Sequence, residues 1–304
     1  MIDIPDSVVR MQLAVNGEHG RAWLAALPRL VDELRDLWRI TELGPPFRGG
    51  CVGYVVPALL SNHTRAVLKL NLLDEETECE PDALALWNGH GAARLLESDR
   101  SRGALLLERV EPGTPLLDHA DREGALDIAC SLLKRLQIQL PRPHPFRFVT
   151  ALARRYAETF PSGYQAAGRP FSEPFLHRAI EISHHFAQYD GPQILANRDF
   201  HLGNILSAQR EPWLAIDPKP LAGEPAFDAA HLIRSLLPDP FSVDAFQGLT
   251  SSIARRLELP LPRIAAWVFV RSIENALWSV SAGDADIRWD IACAGAAQPF
   301  CHLL

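Results

Sequence analysis

The spacing of apolar residues changes along this chain, and the change occurs near residue 111. From residue 45 to residue 110, short apolar runs such as YVVPALL and RAVLKLNLL alternate with polar turns, while EETECEPDALALW has helical spacing. These runs predict a small antiparallel sheet crossed by one helix. Beyond EPGT at 111–114, apolar residues recur mostly at helical spacing. The sequence therefore predicts an α+β fold with a β-rich lobe and a mainly helical C-terminal lobe.

The N-terminal segment has a helical pattern of its own. Asp6 or Ser7 can cap a first helix, and Gly17 and Gly20 separate it from a second one in GRAWLAALPRLVDELRDLWRI. We therefore predict a helical segment at 1–44 packed on the lobes, a β-rich lobe at 45–109 and a helical lobe at 110–304.

Composition excludes several classes of protein. The chain of 304 residues is 47% hydrophobic and 22% charged, as in folded globular proteins. Its formal net charge of −7 disfavours a nucleic-acid binder, which needs a basic face, and is compatible with a cationic substrate. There is no apolar run of roughly 20 residues, no signal-peptide pattern at the N-terminus and no metal-ligand spacing among the cysteines. We expect a cytoplasmic protein, a monomer or weak dimer, without nucleic-acid or membrane partners.

One β-like stretch, ILANRDFHLGNILSAQREPWLAIDPKP, interrupts the helical lobe. Two apolar runs flank its turn-rich AQREP segment, which predicts a hairpin. Asn204 would begin the first strand and Asp217 would follow the second, so both side chains would lie at the open end of the hairpin. Carboxylate and carboxamide oxygens suit Mg²⁺, and Asp199 could address a nucleophile beside that ion. The alternative is that these residues only form turns.

The order of these three residues resembles the catalytic loop and metal site of protein-kinase-like enzymes. NRDFHLGN resembles the H-x-D-x-x-x-x-N loop of aminoglycoside phosphotransferases, and AIDPKPLAGEPAFDAA resembles their following I-D-x-x-x-x-x-G-D-P-x-x-D segment. REPWLAIDPKPLAG is similar to the streptomycin 6-phosphotransferase and hydroxyurea phosphotransferase family. Further blocks similar to that family occur in order: GRAWLAALPRL, VLKLNLLDEETECEPDALALWNGHGAARLLE, LLLERVEPGTPL and ENALWSV. The resemblance implies a bilobal protein-kinase-like fold and ATP- and Mg²⁺-dependent phosphoryl transfer.

The same resemblance implies a nucleotide site in the β-rich lobe. Lys69 would hold the ATP phosphates, and Glu80 would pair with it, with Glu76 and Glu78 as alternative partners. No G-x-x-x-x-G-K-[ST] motif occurs, which excludes a P-loop. Five further residues lie where the family contacts nucleotide, in a glycine-rich turn and in the lobe connector. They are Gly49, Gly50, Glu108, Arg109 and Val110, although the connector is also compatible with a plain strand.

In the helical lobe, the resemblance implies that Asp199 is the base, or at least the orienter, for the attacking hydroxyl group. Asn204 and Asp217 would hold Mg²⁺. Four residues would support this site: Asn197, His201, Lys219 and Asp228. Lys219 would contact a phosphate or be only a surface charge, and Asp228 would prop the loop, cap the next helix or do both. Two of the family's positions differ here, because Asn197 stands where the family has His and Glu224 where it usually has Asp.

The acceptor would lie near the C-terminal part of the helical lobe. The candidate residues there are Glu274, Trp278, Asp284 and Asp286, and also Trp289 and Asp290. The carboxylates would pair with a cationic acceptor, although each is equally compatible with a solvated charged face. Trp267 and Trp278 are predicted to pack in the core. The leading hypothesis is a kinase of an aminoglycoside such as streptomycin. The alternatives are a kinase of hydroxyurea or a metabolite, and a catalytically weak nucleotide-binding module.

Overall fold

The structure is a computed structural model that describes residues 2–47, 52–283 and 286–303. Gly49, Gly50 and Asp284 therefore lie outside the described residues. The chain folds into two units, of which the first comprises Met1–Gly113 and Ala208–Leu214 and the second comprises Thr114–Ser207 and Ala215–Leu304. Within the described ranges, no helix has both the length and the apolar character that crossing a membrane requires.

The first unit begins with the long helix α1, Asp6–Leu37, which is interrupted at Gly17 by a positive φ of 51°. This break agrees with the predicted pair of helices. The buried side chains of its second half recur every three or four residues and pack on the first-unit sheet: Trp23, Leu27, Val31 and Leu34. The chain is not helical to residue 44, however, because β1 occupies Ile40–Leu43 and pairs with β2. The apolar spacing of the helix continues through Trp38 and Ile40, but pairing with β2 makes residues 40–43 a strand.

The sheet of the first unit is antiparallel and has the strand order β1-β2-β3-β5-β4. Its other strands are β2 (Tyr54–Leu60), β3 (Arg65–Leu70), β4 (Leu95–Asp99) and β5 (Ala104–Glu108). Helix α2, Glu80–Trp87, lies in sequence between β3 and β4, as predicted. Because β3 is the central strand, Ala66, Leu68 and Leu70 are fully buried, and Lys69 lies between Val55 of β2 and Leu105 of β5.

The second unit is mainly helical. Its helices are α3 (Arg122–Leu136), α4 (Val149–Ala166), α5 (Glu173–Phe186), α6 (Ala226–Leu236), α7 (Val243–Leu257), α8 (Leu261–Ser281) and α9 (Arg288–Ala297). The core centres on α8, where Trp267 is fully buried and stacks on Phe186 with ring centroids 3.8 Å apart. Trp278 of the same helix is 52% exposed, so the prediction that it packs in the core is wrong.

The remaining strands are short and position the loops between the helices. They are β6 (Pro112–Pro115), β7 (Ile194–Asn197), β8 (Ile205–Ala208), β9 (Trp213–Ala215) and β10 (Pro220–Gly223). Strands β8 and β9 form the predicted hairpin. Strand β10 pairs antiparallel with β7, with Pro220 opposite Asn197 and Gly223 opposite Ile194. This pairing brings the segment after the hairpin back to the segment before it.

Candidate active site

In the first unit, Lys69 and Glu80 form a buried ion pair. The Lys69 Nζ lies 2.7 Å from each carboxylate oxygen of Glu80, and the two side chains are only 8% and 1% exposed. The Asn71 Nδ2 also donates to Glu80 Oε2 at 3.0 Å. A buried ion pair is tolerated only when its charges and remaining lone pairs are satisfied, and Asn71 contributes to this. Glu80 is therefore the partner of Lys69, rather than Glu76 or Glu78.

The lobe connector is held by Arg210, which lies in the turn-rich AQREP segment between β8 and β9. The Arg210 guanidinium donates to both carboxylate oxygens of Glu108, at 3.1 and 2.9 Å. Burial acts to raise the pKa of Glu108, but the hydrogen bonds and charge of Arg210 prevail and lower it. The backbone N–H of Glu108 donates to the Arg94 carbonyl at 2.8 Å, so this N–H group is already used within the unit.

The next two predicted connector residues lie between β5 and β6. Arg109 pairs with Glu111 at 3.2 Å, and Glu111 also meets Arg65 at 2.7 Å. Val110 follows directly, and its carbonyl oxygen lies 2.9 Å from the point where a Cβ on Gly113 would stand. Because Gly113 also has a φ of 78°, only glycine fits this turn without strain.

In the second unit, Asn204 and Asp217 lie at the same end of the β8–β9 hairpin. The N–H of Ile216 donates to the Asn204 carbonyl at 2.9 Å, which places Asp217 next to that pair. The Asn204 Nδ2 donates to the backbone oxygen of Asp199 at 3.2 Å, so its amide is oriented with Nδ2 toward the loop. Asp217 has a φ of 51°, a conformation that aspartate tolerates better than most residues. A carboxamide oxygen and a carboxylate at one end of a hairpin are oxygen ligands of the kind that a divalent cation takes.

Asp199 lies upstream in the same loop and contacts two basic side chains. Its Oδ1 accepts a hydrogen bond from His231 Nε2 at 3.2 Å, and Lys219 Nζ lies 3.8 Å from its Oδ2. Burial acts to raise the pKa of Asp199, but the His231 hydrogen bond and the Lys219 charge outweigh it and hold this pKa well below its usual range. Burial also lowers the pKa of His231, which favours a neutral ring that donates through Nε2–H. Asp199 is therefore a carboxylate at neutral pH.

Asn197 organises the start of this loop through three hydrogen bonds. Its Oδ1 accepts from the N–H groups of Asp199 at 3.1 Å and of Lys219 at 3.0 Å. Its own N–H donates at 2.9 Å to Asp228 Oδ1, and the Gln137 Nε2 donates at 3.0 Å to Asp228 Oδ2. Asp228 is fully buried, and burial raises its pKa to about 8. The amide oxygen of Asn197 thus supplies an acceptor at the position where the resemblance predicts a histidine.

Two other positions in this region have structural contacts. The His201 Nδ1 accepts from the N–H of Gly203 at 3.1 Å, and the His201 ring meets the His231 ring edge-on with centroids 5.5 Å apart. Glu224, where the family usually has aspartate, is buried and paired with Arg263 and with the indole N–H of Trp267. The longer side chain of Glu224 therefore joins β10 to α8.

The predicted acceptor residues are spread over different environments. Glu274 is 18% exposed and already pairs with Arg198 at 2.5 Å and Arg271 at 3.3 Å. Asp286 pairs with Arg288 at 2.6 Å on an exposed surface. The further candidate Asp290 is buried against Arg234, and Trp289 is half-buried. Among the described candidates, Trp278 presents the most exposed large apolar surface.

A five-stranded antiparallel sheet with a strand lysine paired to a helix glutamate, joined to a helical unit carrying an Asp–Asn–Asp loop, defines a protein-kinase-like fold. A solved amicoumacin kinase in complex with AMP-PNP, Ca²⁺ and Ami has a TM-score of 0.62 to this chain at 15% identity, covering 88% of this chain and 93% of its own.

Residues 37–283 match the family model described as aminoglycoside/hydroxyurea antibiotic resistance kinase. A streptomycin 6-kinase of Streptomyces glaucescens is 36% identical over 292 residues, which is 94% of this chain and 93% of that protein. A hydroxyurea phosphotransferase of Kitasatospora aureofaciens is 34% identical over 289 residues, which is 93% of this chain and 82% of that protein. The chain belongs to this kinase family and is a phosphotransferase, which confirms the resemblance drawn from its motifs.

Proposed function

We propose that this protein transfers the γ-phosphoryl group of ATP to a hydroxyl group of streptomycin. The observation that carries the proposal is the arrangement of Asp199, Asn204 and Asp217, in which the backbone of Asp199 is hydrogen-bonded to the hairpin end that carries Asn204 and Asp217. The streptomycin 6-kinase relative, which covers nearly the whole chain, supports the choice of acceptor. The net charge of −7 is compatible with a cationic acceptor.

On the nucleotide side, Lys69 would contact the ATP phosphates. Glu80 and Asn71 hold the strand lysine within the sheet, so its ammonium group has a defined position. The neighbouring fold with bound AMP-PNP supports a nucleotide as the phosphoryl donor. Glu108, Arg109 and Val110 are proposed to border the adenine, and the Glu108–Arg210 pair would keep that segment rigid.

On the metal side, Asn204 and Asp217 would hold Mg²⁺. A bound Mg²⁺ would neutralise charge on the transferred phosphoryl oxygens. The hydrogen bond from Asn204 Nδ2 to the Asp199 carbonyl fits this role, because it turns the other amide atom, Oδ1, away from the loop. Lys219 would add a second positive charge near Asp199.

Asp199 would orient the acceptor hydroxyl and receive its proton. The hydroxyl oxygen attacks the γ-phosphorus while the bond from that phosphorus to the β–γ bridging oxygen breaks, so that ADP leaves. Because the pKa of Asp199 is held low, this carboxylate is a weak base. A weak base suits a loose transition state, in which the nucleophile keeps its proton until late in the reaction.

Hydroxyurea is the second candidate acceptor, because the hydroxyurea phosphotransferase relative also covers nearly the whole chain. Hydroxyurea is small and neutral, so it would make little use of the exposed indole of Trp278. We favour streptomycin, whose guanidinium groups could stack on that indole and pair with carboxylates.

The test is to incubate the purified protein with Mg²⁺-ATP and, separately, streptomycin, hydroxyurea and a panel of sugars and amino alcohols. We expect phosphorylated streptomycin, detected by mass spectrometry, and little product from the other acceptors. Asp199→Asn should lower turnover at least about 100-fold while nucleotide affinity stays within about twofold. Product from hydroxyurea or a metabolite alone would reject streptomycin as the acceptor, and bound nucleotide with no product from any acceptor would favour a weak nucleotide-binding module.

A further inference from the structure

His231 contacts the proposed catalytic carboxylate from a different element of the fold. It lies on α6, three residues after Asp228, so the two side chains share one face of that helix. Asp228 accepts the backbone N–H of Asn197 at 2.9 Å, and His231 Nε2 lies 3.2 Å from Asp199 Oδ1. One face of α6 therefore holds the loop at two points. Asp228 holds the loop backbone at Asn197, and His231 holds the Asp199 side chain.

This contact has a competing interpretation as part of a metal site. Asp199, His201 and His231 have potential ligand atoms within 4.8 Å of one another. His201 Nδ1, however, accepts the Gly203 N–H, so a neutral His201 ring carries its proton on Nε2. His231 likewise presents Nε2–H to Asp199. Metal binding through His201 Nε2 would move the ring proton to Nδ1 and break the hydrogen bond from Gly203. Metal binding through His231 Nε2 would break the hydrogen bond to Asp199. The contacts therefore favour His231 as a hydrogen-bond donor to the Asp199 carboxylate.

We propose that His231 is a positioning residue for phosphoryl transfer, which holds Asp199 Oδ1 so that Oδ2 is directed to the acceptor hydroxyl. The inference rests on the proposed function. An aspartate side chain has two rotatable bonds, and a single donor on one oxygen removes much of that freedom. Lys219 Nζ, at 3.8 Å from Oδ2, supplies charge but is beyond hydrogen-bond distance, so it does not fix the carboxylate in the same way.

The kinetic test compares His231→Leu, which removes the donor, with His231→Gln, whose side-chain N–H can reach a similar position. We expect His231→Leu to lower kcat about 10- to 100-fold with KM values for ATP and streptomycin within about twofold. His231→Gln should recover most of that loss. His184→Leu, at an exposed position on α5, is the matched control and should leave kcat unchanged. Thermal unfolding of each variant checks that it is folded.

A second measurement tests the contact without using activity. In protein labelled with ¹⁵N-histidine, the His231 signal, identified by its loss in His231→Gln, should show an Nε2-protonated tautomer. Asp199→Ala should shift that signal, and His184→Leu should not. If His231→Leu fails to fold, this comparison still tests whether His231 Nε2–H donates to Asp199.

The results separate the two proposals. If the wild type phosphorylates no streptomycin, the proposed function fails. If the wild type is active and folded His231→Leu keeps kcat within about twofold, only the role of His231 is overturned. A folded His231→Gln as slow as His231→Leu, or an Nδ1-protonated His231, would also overturn it.

Discussion

Arg210 at the turn of the β8–β9 hairpin holds Glu108 at the end of β5 with two parallel N–H donors, at 3.1 and 2.9 Å. The same guanidinium donates to the carbonyl oxygens of Gly89 at 2.5 Å and Ala92 at 3.1 Å. With Glu211 Oε1 at 3.2 Å, the planar guanidinium donates to five acceptor atoms here, which a lysine ammonium with three N–H groups cannot do. Within the first unit, the Ala208–Leu214 segment is thus anchored to the end of β5.

Arg210→Ala should therefore lower the free energy of unfolding by about 2 kcal/mol, because it leaves Glu108 Oε1 and two carbonyl groups without their donor, whereas Glu108 Oε2 keeps the Arg94 N–H. Arg210→Lys should recover less than half of this loss. Urea denaturation measures both, and Gln209→Ala, at the exposed neighbouring position, is the control. Equal stabilities of Arg210→Ala and Gln209→Ala would contradict the anchoring role.

Glu80→Ala should destabilise the protein by about 3–5 kcal/mol, because it leaves Lys69 as an uncompensated buried charge. It should also raise the KM for ATP, since the lysine loses its orienting partner. Denaturation and nucleotide titration measure these two effects. Glu78→Ala, an exposed acid two residues away, should change neither. An effect of Glu78→Ala as large as that of Glu80→Ala would show that the pair is wrongly assigned.

Asp228 should give the stability of the protein a distinctive pH dependence. Burial raises its folded pKa to about 8, whereas unfolded aspartate titrates near 3.9. Between these values the folded state holds a proton that the unfolded state has released. The free energy of unfolding therefore falls as the pH rises through this window, by linkage. The stabilisation that the raised pKa of Asp228 contributes is fully present only below the pKa of unfolded aspartate.

Asp228→Asn cannot titrate and should remove that slope. From about pH 5 to about pH 8, the wild type should lose on the order of 3 kcal/mol more stability than the variant. Urea denaturation at several pH values measures the difference between the two proteins, so titrations that they share cancel. Parallel pH profiles would show that Asp228 is ionised in the folded state throughout this range.

Asn197→Ala should lower kcat more than tenfold and stability by about 2 kcal/mol, because two N–H groups lose their shared acceptor. These are the N–H groups of Asp199 and Lys219. Asn197→His, which restores the family residue, should keep kcat within about threefold if a ring nitrogen can accept in place of Oδ1. Steady-state kinetics with streptomycin tests this, and an alanine variant as active as the wild type would refute the interpretation.

Local patterns in the sequence were sufficient for much of the fold. Alternating and helical spacing predicted β2 to β5, α2 and the β8–β9 hairpin, because such periodicity is encoded within short windows. The predicted hairpin also placed Asn204 and Asp217 at its open end, since Asn204 stands at the start of the first strand and Asp217 follows the second. Lys69 and Glu80 were paired correctly because the resemblance to the family implied that pair. The roles proposed for these residues await the experiments above.

Other features depended on contacts between distant parts of the chain. The pairing of β10 with β7 brings the Lys219 N–H to Asn197, and α6 brings His231 to Asp199. The strand conformation of residues 40–43 and the exposure of Trp278 were likewise set by which neighbours cover them. The sequence by itself thus determined the local elements, the family motif and the chemistry that the motif implies. Only the tertiary structure decided which side chains hold the loop in place, because those hydrogen bonds form between segments whose meeting no local pattern encodes.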